Sequence, residues 1–356
     1  MAIVADDLTG ALDVCAPFAA KGLRCHVATV PDGVEAALAQ DGDVICVNTA
    51  TREMAAGIAG AIVARIAQRL ADAGPEIAFK KIDSRLKGHA AVESRACLVA
   101  FKRRRAVIVP AVPDQGRFVV GGRLTGMGVA APLSIADVFG NAFAYEAPDS
   151  AEASDLERIA RIEWADVLFV GASGLAAGLA SVLSSRPQWR SGPICAPILI
   201  AVGSHDPITV EQVARTARLP DTLHLTSSDG GIEMPALVPP VTIVQATVPL
   251  DAPDRTQAMV RFGASVAWAL RRGWFRTMLL SGGETAQTVL SALAIDCVEV
   301  LGEALPGIPA VQAQIADRPI GILTKSGGFG TPDDILRLAE TARLHLAQPS
   351  IAGEQA

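Results

Sequence analysis

Two adjacent carboxylates, Asp6 and Asp7, follow the short apolar stretch at residues 2–5 and precede Leu8-Thr9-Gly10. The apolar stretch is typical of a buried strand, and apolar residues recur at helical spacing from residue 11 to residue 18. The two carboxylates are therefore expected at a helix N-terminus, where one of them is enough to cap the helix. The other could accept a proton from a substrate hydroxyl or hold magnesium.

Positive charge is concentrated between residues 80 and 123, in a chain whose net charge is −6. This stretch contains eleven Lys and Arg residues and three acids, a local balance of +8. The basic run 102–105 is expected at a helix C-terminus, where solvated cations complement the helix dipole. That explanation fits residues 81–89 less well, because cations, Asp83 and Ser84 crowd a strand-to-helix turn there. We expect this turn to hold a small anionic substrate such as a carboxylate.

Two more polar segments follow predicted strands in the first half of the chain. Residues 48–52 follow the third strand and contribute hydroxyls and the guanidinium of Arg52. Arg117 follows a proline-containing segment that leaves another strand, and it is equally compatible with a solvated arginine on a rigid turn. Because ligands of parallel α/β sheets bind at the carboxyl ends of the strands, polar groups from several strand ends are expected to converge.

Three glycine-containing turns follow predicted strands in the second half: Gly203-Ser204, Ser281-Gly282-Gly283-Glu284-Thr285 and Lys325-Ser326-Gly327-Gly328. Backbone N–H groups in such turns can cradle phosphate oxygens, although one glycine loop alone is a weak signal. Three of them at strand ends favour a nucleotide site over three unrelated tight turns. Neither a P-loop nor the Rossmann glycine fingerprint occurs in the sequence.

The order of predicted elements indicates an α/β protein with two domains, each with a mostly parallel sheet flanked by helices. We place the domains at residues 1–190 and 195–348, because composition turns to Ser, Pro, Arg and Gly around residues 186–193. Residues 110–150, rich in Pro and Gly, are expected to form a working loop or an irregular insertion, and residues after 348 to be disordered. The clearest strands are expected at 2–5, 25–30, 44–47, 77–82, 106–109, 167–170, 198–202, 242–246, 277–280 and 320–323, and the clearest helices at 11–21, 54–70, 90–102, 175–183, 256–270, 286–293 and 334–347.

Composition and spacing exclude several classes of protein. The acidic net charge disfavours nucleic acid or an anionic membrane as a partner, and no apolar run reaches the length of a membrane helix. The histidines have no partner at metal-ligand spacing, and no hydrolase nucleophile motif is present. The six cysteines are scattered, and residues 2–5 are too short for a signal peptide, so a reduced, cytoplasmic protein is expected. The oligomeric state is left open between a monomer and a homodimer.

Several segments together resemble the four-carbon acid sugar kinases. The resemblance rests on Ala5-Asp6-Asp7-Leu8-Thr9-Gly10-Ala11 with Asp13, Lys80-Lys81-Ile82-Asp83-Ser84, Pro110-Ala111-Val112-Pro113-Asp114-Gln115-Gly116-Arg117, Val170-Gly171-Ala172-Ser173-Gly174-Leu175-Ala176, and the last two glycine turns. It implies an N-terminal sugar-acid-binding domain and a C-terminal nucleotide-binding domain. It also implies that ATP, with Mg²⁺ bridging its phosphates, phosphorylates the terminal hydroxyl of a tetronate or oxo-tetronate.

The resemblance assigns roles to particular residues. Contacts with the nucleotide are implied for Ser204, Gly282, Gly283, Glu284, Thr285 and Gly327. The acidic opening motif with Thr9, the turn from Lys81 to Ser84, and Arg117 are implied to face the sugar acid. The residue chemistry described above adds Arg52, Arg85 and Lys87 to the substrate side. As the base that accepts the hydroxyl proton we expect Asp7, failing it Asp6, and otherwise Asp83.

Three departures from the family pattern bear on substrate and activity. The family usually has Asp-Ser-Thr-Leu-Arg-Gly where this chain has Asp83-Ser84-Arg85-Leu86-Lys87-Gly88, and Gly-Ser-Cys-Ser where it has Gly203-Ser204-His205-Asp206. The segment after Arg117 is shorter than is typical. Two alternatives to a kinase therefore stay open. One is a sugar-acid sensor that kept the pocket and lost turnover, and the other is a nicotinamide-dependent dehydrogenase, which the missing fingerprint disfavours.

Overall fold

The computed structural model describes residues 1–186 and 194–345. The chain divides into two compact units, Met1–Arg190 with Asp296–Gly302, and Ser191–Ile295 with Glu303–Ala356. Apart from Arg186, the predicted boundary at 186–193 lies outside the described residues, as does the predicted disordered tail. The segment 296–302 belongs to the first unit although it lies far along the chain.

The first unit has a sheet of parallel neighbours in the order β2-β3-β1-β4-β10-β5-β9. Residues 297–300 pair antiparallel with β2. The strands of the first unit are β1 (Ala2–Ala5), β2 (Cys25–Ala28), β3 (Val44–Asn48), β4 (Ala78–Lys81), β5 (Arg105–Val109), β6 (Arg117–Val120), β7 (Arg123–Gly126), β8 (Leu133–Ser134), β9 (Tyr145–Glu146) and β10 (Val167–Gly171). Its helices are α1 (Leu8–Ala20), α2 (Val34–Leu38), α3 (Ala56–Asp72), α4 (Ala90–Ala100), α5 (Ile135–Phe139), α6 (Ala153–Ala160) and α7 (Ser173–Leu183).

The central strands of this sheet are apolar because helices cover both of their faces. Ile3, Phe79 and Phe169 are fully buried. Helix α1 ends as its sequence predicts: Gly22 adopts φ +78°, and its N–H donates to Ala19 O at 2.9 Å.

The register of the first sheet makes its strand ends level. Ala5 pairs with Asn48 on one side and Lys81 on the other, and Gly171 pairs with Lys81 and Val109. The residues that follow these strands therefore emerge at one edge. The strand order also reverses at β1, since β3 lies on one side and β4 on the other, and such a reversal opens a crevice for ligands.

The second unit has parallel neighbours in the order β12-β13-β11-β14-β17, and β16 pairs antiparallel with β17. Its strands are β11 (Ile198–Val202), β12 (Thr222–Ser227), β13 (Val241–Ala246), β14 (Thr277–Ser281), β15 (Cys297–Leu305, whose first residues belong to the first unit), β16 (Ile308–Ile315) and β17 (Arg318–Lys325). Its helices are α8 (Pro207–Thr216), α9 (Arg255–Arg271), α10 (Gly283–Leu293) and α11 (Asp334–Leu344). Val202, Ser281 and Lys325 are in register, so the three predicted glycine turns leave the sheet side by side.

The fold confirms the predicted α/β class and most of the predicted elements within about two residues. The described part of the predicted helix at 334–347 ends at Leu344. Residues 110–150 are more ordered than the predicted loop, because β6, β7 and β8 form a small antiparallel sheet of their own. Strand β12 was not predicted, although its polar residues alternate with apolar ones as expected of a strand at a sheet edge. Within the described residues, no helix combines the length and apolarity needed to cross a membrane.

Candidate functional site

The guanidinium of Arg52 is held by both carboxylates of the opening motif. Arg52 Nε and one terminal nitrogen donate to Asp6 Oδ2 and Oδ1, each at 2.8 Å, and the other terminal nitrogen donates to Asp7 Oδ2 at 2.7 Å. Asp6 is 2% exposed. Burial pushes the pKa of Asp6 upward, but the charge of Lys80 and the bond from Arg52 outweigh it and lower that pKa below its usual value.

Of the two adjacent carboxylates, Asp7 is the one that caps α1. Its Oδ1 accepts the N–H of Gly10 at 2.9 Å, and its Oδ2 accepts the hydroxyl of Thr9 at 2.8 Å. One carboxylate therefore does what capping requires, while Asp6 lies deeper and faces the cations.

A buried ion pair lies beneath the site, between β4 and α4. Lys80 Nζ is 2.8 Å from Glu93 Oε2, and both side chains are about 1% exposed or less. Thr51 donates to Glu93 Oε1 at 2.6 Å, which ties the loop after β3 to the same carboxylate. Burial lowers the pKa of Lys80, but Glu93 and Asp6 outweigh it and raise that pKa above its usual value. Glu93 is absent from the predicted site residues, because its only signal in the sequence is an acid on the inner face of a helix.

The turn after β4 is organised by Asp83. Asp83 Oδ1 accepts the N–H groups of Arg85 at 2.8 Å and of Lys87 at 3.4 Å, while its Oδ2 lies 3.8 Å from Arg52. Arg85 and Lys87 are exposed. Lys81 instead is buried, and its Nζ donates to Ile82 O at 2.9 Å.

Arg117 lies against this turn, as one of its two sequence-based interpretations predicts. It donates to Ser84 Oγ and Gln115 Oε1, both at 2.8 Å, and to Met127 O at 3.0 Å. Burial, followed by the nearby charge of Arg85, lowers the pKa of Arg117. Two guanidinium groups that repel each other at a partly buried turn are a good environment for an anion.

Asp13 also belongs to this cluster, although it is absent from the predicted site residues. Burial raises the pKa of Asp13, and Lys81, the Ser173 hydroxyl and Arg117 offset that rise in part, while Asp7 adds to it. Its neighbours therefore come from four different strand ends. Its signal in the sequence is its place four residues after Thr9, on the same face of a helix.

In the second unit, a cleft of about 420 Å³ opens at the ends of β11, β14 and β17. The structure brings all six predicted nucleotide residues to its lining: Ser204, Gly282, Gly283, Glu284, Thr285 and Gly327. The lining also includes His205, Asp206, Leu250 and Arg255, which the sequence analysis did not assign to the site.

Two glycines around this cleft, Gly203 and Gly327, have little room for a side chain. A Cβ at Gly327 would lie 2.3 Å from Ser204 Oγ, and one at Gly203 would lie 2.4 Å from Thr285 Oγ1. Gly282 adopts φ +110°, whereas Gly283 begins α10 without a positive φ. Within the described residues, the buried Thr285 hydroxyl has no hydrogen-bond partner. A helix N-terminus, a glycine turn and an unpartnered hydroxyl together suit the oxygens of a phosphate chain.

Charged side chains border the cleft. Arg255 donates to Glu284 Oε2 at 2.6 Å and to Val248 O at 3.0 Å. Asp206, which replaces a hydroxyl of the family pattern, caps α8 by accepting the N–H of Ile208 at 3.0 Å. In the described part of the chain, no three His, Cys, Asp or Glu side chains cluster as metal ligands. Mg²⁺ commonly uses one or two carboxylates together with phosphate oxygens, so Glu284 and Asp206 fit that requirement.

Lys325 shapes the turn that carries Gly327. Its Nζ is buried and donates to Thr209 Oγ1 at 3.0 Å, to Ser326 O at 2.9 Å and to Gly327 O at 3.0 Å. Burial lowers the pKa of Lys325 to about 8, and the charges of Asp206 and Asp334 offset this only in part.

Comparison with known proteins finds a sugar-binding domain in the first part of the chain and a nucleotide-binding domain in the second. A family described as a sugar-binding N-terminal domain matches residues 1–137, and one described as a nucleotide-binding C-terminal domain matches residues 240–335. A D-threonate kinase from Bordetella bronchiseptica is 28% identical over 96% of this chain and 97% of its own length. A 3-oxo-tetronate kinase from Brucella melitensis is 26% identical over 93% of each chain.

Two solved structures share the fold. A Salmonella typhimurium LT2 protein described as a candidate tRNA synthase superposes with a TM-score of 0.78 at 20% identity, over 94% of this chain and 98% of its own. A Haemophilus influenzae protein from a domain family of unknown function gives a TM-score of 0.72 at 21% identity, over 97% of this chain and 100% of its own.

Replacing Glu93 by Gln should destabilise the protein by about 3–5 kcal/mol, the usual result of leaving one charge of a buried pair without its partner. Urea unfolding of the two proteins measures this difference. The control is Asp166→Asn, which removes an ion pair with Arg104 at the surface and should change stability little. Equal unfolding midpoints for Glu93→Gln and the unmodified protein would contradict a buried ion pair.

Lys325 should make stability depend on pH. The pKa of Lys325 falls from 10.5 to about 8 on folding, so between these values the unfolded chain binds more protons than the folded chain. The free-energy cost of burying this lysine therefore falls as pH rises through that window. The stability of the unmodified protein minus that of Lys325→Met should therefore rise from pH 7 to pH 9. Urea unfolding at each pH measures the difference, and parallel profiles would show that Lys325 has an ordinary pKa.

Proposed function

The chain belongs to the four-carbon acid sugar kinase family, and we propose that it transfers the γ-phosphoryl group of ATP to the terminal hydroxyl of a four-carbon sugar acid. The relatives named above make D-threonate and 3-oxo-tetronate the first acceptors to test. The observation that carries the proposal is the pairing of chemistries in one chain: a glycine-lined cleft in the second unit and a cationic cluster at strand ends in the first.

The cleft supports the nucleotide half of the proposal. Phosphates of ATP would lie against the N-terminus of α10, whose first N–H groups have no partner within the helix, and beside Gly282 and Gly327, which carry no side chains. The Thr285 hydroxyl would give its hydrogen bond to a phosphate oxygen. Glu284, released from Arg255, and Asp206 would hold Mg²⁺, which supplies charge neutralisation between the phosphates when bound.

The cationic cluster supports the acid half of the proposal. Arg117 and Arg85 would share the substrate carboxylate, since an anion removes the repulsion between them. Lys87 lies on the same turn and adds positive charge there. Lys81, Ser84 and Thr9 would bind the hydroxyls of the acid.

Arg52 has a different place in this proposal. Its guanidinium is already shared by Asp6 and Asp7, so it would position those carboxylates and present only its remaining N–H groups to the substrate. Asp7, Asp6 and Asp83 are the candidates that the sequence offers for the base. Phosphoryl transfer depends mainly on positioning and on neutralising charge, which both halves of this arrangement supply.

Gly327→Val should abolish ATP binding, because any side chain there collides with Ser204 and fills the cleft. Calorimetric titration with ATP measures this, and a coupled ADP-release assay with ATP, Mg²⁺ and each acid should show turnover only in the unmodified protein. The control is Gly57→Val on α3, where a Cβ meets nothing within 4 Å.

ATP affinity that survives Gly327→Val in a folded protein would move the nucleotide site elsewhere. Binding of both ligands without ADP release would favour the sensor. Binding of NAD in place of ATP would favour the dehydrogenase.

Arg85→Ala should raise KM for the sugar acid about ten- to a hundredfold, the size of a lost charged hydrogen bond, and leave KM for ATP unchanged. Steady-state kinetics with each substrate varied in turn separates the two effects. Arg95→Ala is the matched control, because Arg95 is exposed on α4 within the same basic segment but outside the turn. Equal KM values for the two variants would return Arg85 to the role of a solvated surface cation.

A further inference from the structure

We propose that Asp13 is the carboxylate that accepts the proton of the substrate hydroxyl during phosphoryl transfer. This inference rests on the proposed kinase function and names its catalytic base. Asp6, Asp7 and Asp83 then hold the site together and do not accept this proton.

Asp13 lies at the strand-end edge with the proposed substrate residues. Asp13 comes four residues after Thr9 and three residues after Gly10, so these three residues share one face of α1. At Gly10 this face approaches Lys81, whose Nζ would lie 3.2 Å from a Cβ there. Ser173, the first residue of α7, lies on the other side of Asp13, because Gly171, two residues before it, pairs with Lys81. The Ser173 hydroxyl is one of the groups that lower the pKa of the Asp13 carboxyl.

The other carboxylates of the site are occupied. Both oxygens of Asp6 and one oxygen of Asp7 accept hydrogen bonds from Arg52, and the second oxygen of Asp7 accepts the N–H of Gly10. Asp83 uses one oxygen to hold its own turn and directs the other toward Arg52. The oxygens of these three carboxylates are therefore engaged by the protein and have fewer lone pairs left for a substrate hydroxyl. Asp13 instead has the neutral hydroxyl of Ser173 beside it.

The surroundings of Asp13 also suit a base. Burial raises its pKa, with a further contribution from Asp7, while Lys81, Ser173 and Arg117 lower it. A carboxylate whose pKa is raised toward the working pH transfers protons more effectively than one with an ordinary pKa. Of the groups that lower its pKa, Lys81 contributes most, and it thereby favours the ionised form of Asp13, which is the form that accepts a proton.

The step balances with ATP as the only co-reactant. The hydroxyl oxygen of the acid forms a bond to the γ-phosphorus, and the bond from that phosphorus to the β,γ-bridging oxygen breaks, with ADP leaving with the electron pair. The hydroxyl proton goes to Asp13 Oδ and then to water. The products are the phosphorylated acid, ADP and one proton.

Asp13→Asn tests the assignment by removing the base and keeping the shape of the side chain. We expect kcat to fall about 10²–10⁴-fold with KM for ATP and for the acid little changed, and the acidic limb of the kcat–pH profile to disappear. Asp72→Asn, at the exposed end of α3, is the carboxylate control and should keep full turnover.

Ser173→Ala supplies an independent readout. Loss of its hydroxyl should raise the pKa of Asp13 and move the acidic limb of the kcat–pH profile to higher pH. A residue that only supports the fold would not move this limb. This variant keeps the test decisive if Asp13→Asn fails to fold.

The outcomes separate the two proposals. If the unmodified protein releases ADP with neither acid, the proposed kinase function itself fails. If it is active, but folded Asp13→Asn keeps its turnover or Ser173→Ala leaves the pH profile in place, the kinase stands and the assignment of the base to Asp13 is overturned.

Discussion

Burying charge at the carboxyl end of a parallel sheet is the constraint on which the first unit depends. Asp6 and Glu93 are almost completely buried, and an unpaired carboxylate there would cost several kcal/mol. Lys80 and Arg52 neutralise them. Lys80 joins β4 to Glu93 on α4, and Arg52 joins the loop after β3 to Asp6 at the end of β1. The same bonds that make the charges tolerable therefore hold the substrate-side residues in place.

This network distinguishes structural charges from those free to act. Arg52, Asp6 and Asp7 are committed to one another, while Arg85 and Lys87 face solvent. Asp13 stands between these groups, because burial raises its pKa while the charges of Lys81 and Arg117 offset that rise in part. Residues of the same chemical type thus have different roles, and the difference is one of environment.

In the second unit, the cleft is shaped by the backbone rather than by side-chain charge. Its cleft is built from three turns whose glycines let the chain approach Ser204 and Thr285 too closely for any side chain. Lys325 is buried beneath them and holds the carbonyls of Ser326 and Gly327, so that the N–H groups of the turn are directed away from it. Side-chain charge recognises a small acid in one unit, and backbone dipoles suit phosphates in the other.

Local periodicity and a general rule about parallel sheets were enough to predict the α/β class, most strand and helix positions, and the strand ends that carry polar residues. The six glycine-turn residues of the cleft and the meeting of Arg117 with Ser84 were predictable on that basis. Which carboxylate pairs with which cation could not be predicted in this way, because it follows from how the folded chain packs. Glu93, Arg255 and the environment of Asp13 depend on contacts between residues far apart in the chain, and burial and pairing, which set a pKa, exist only once those contacts have formed.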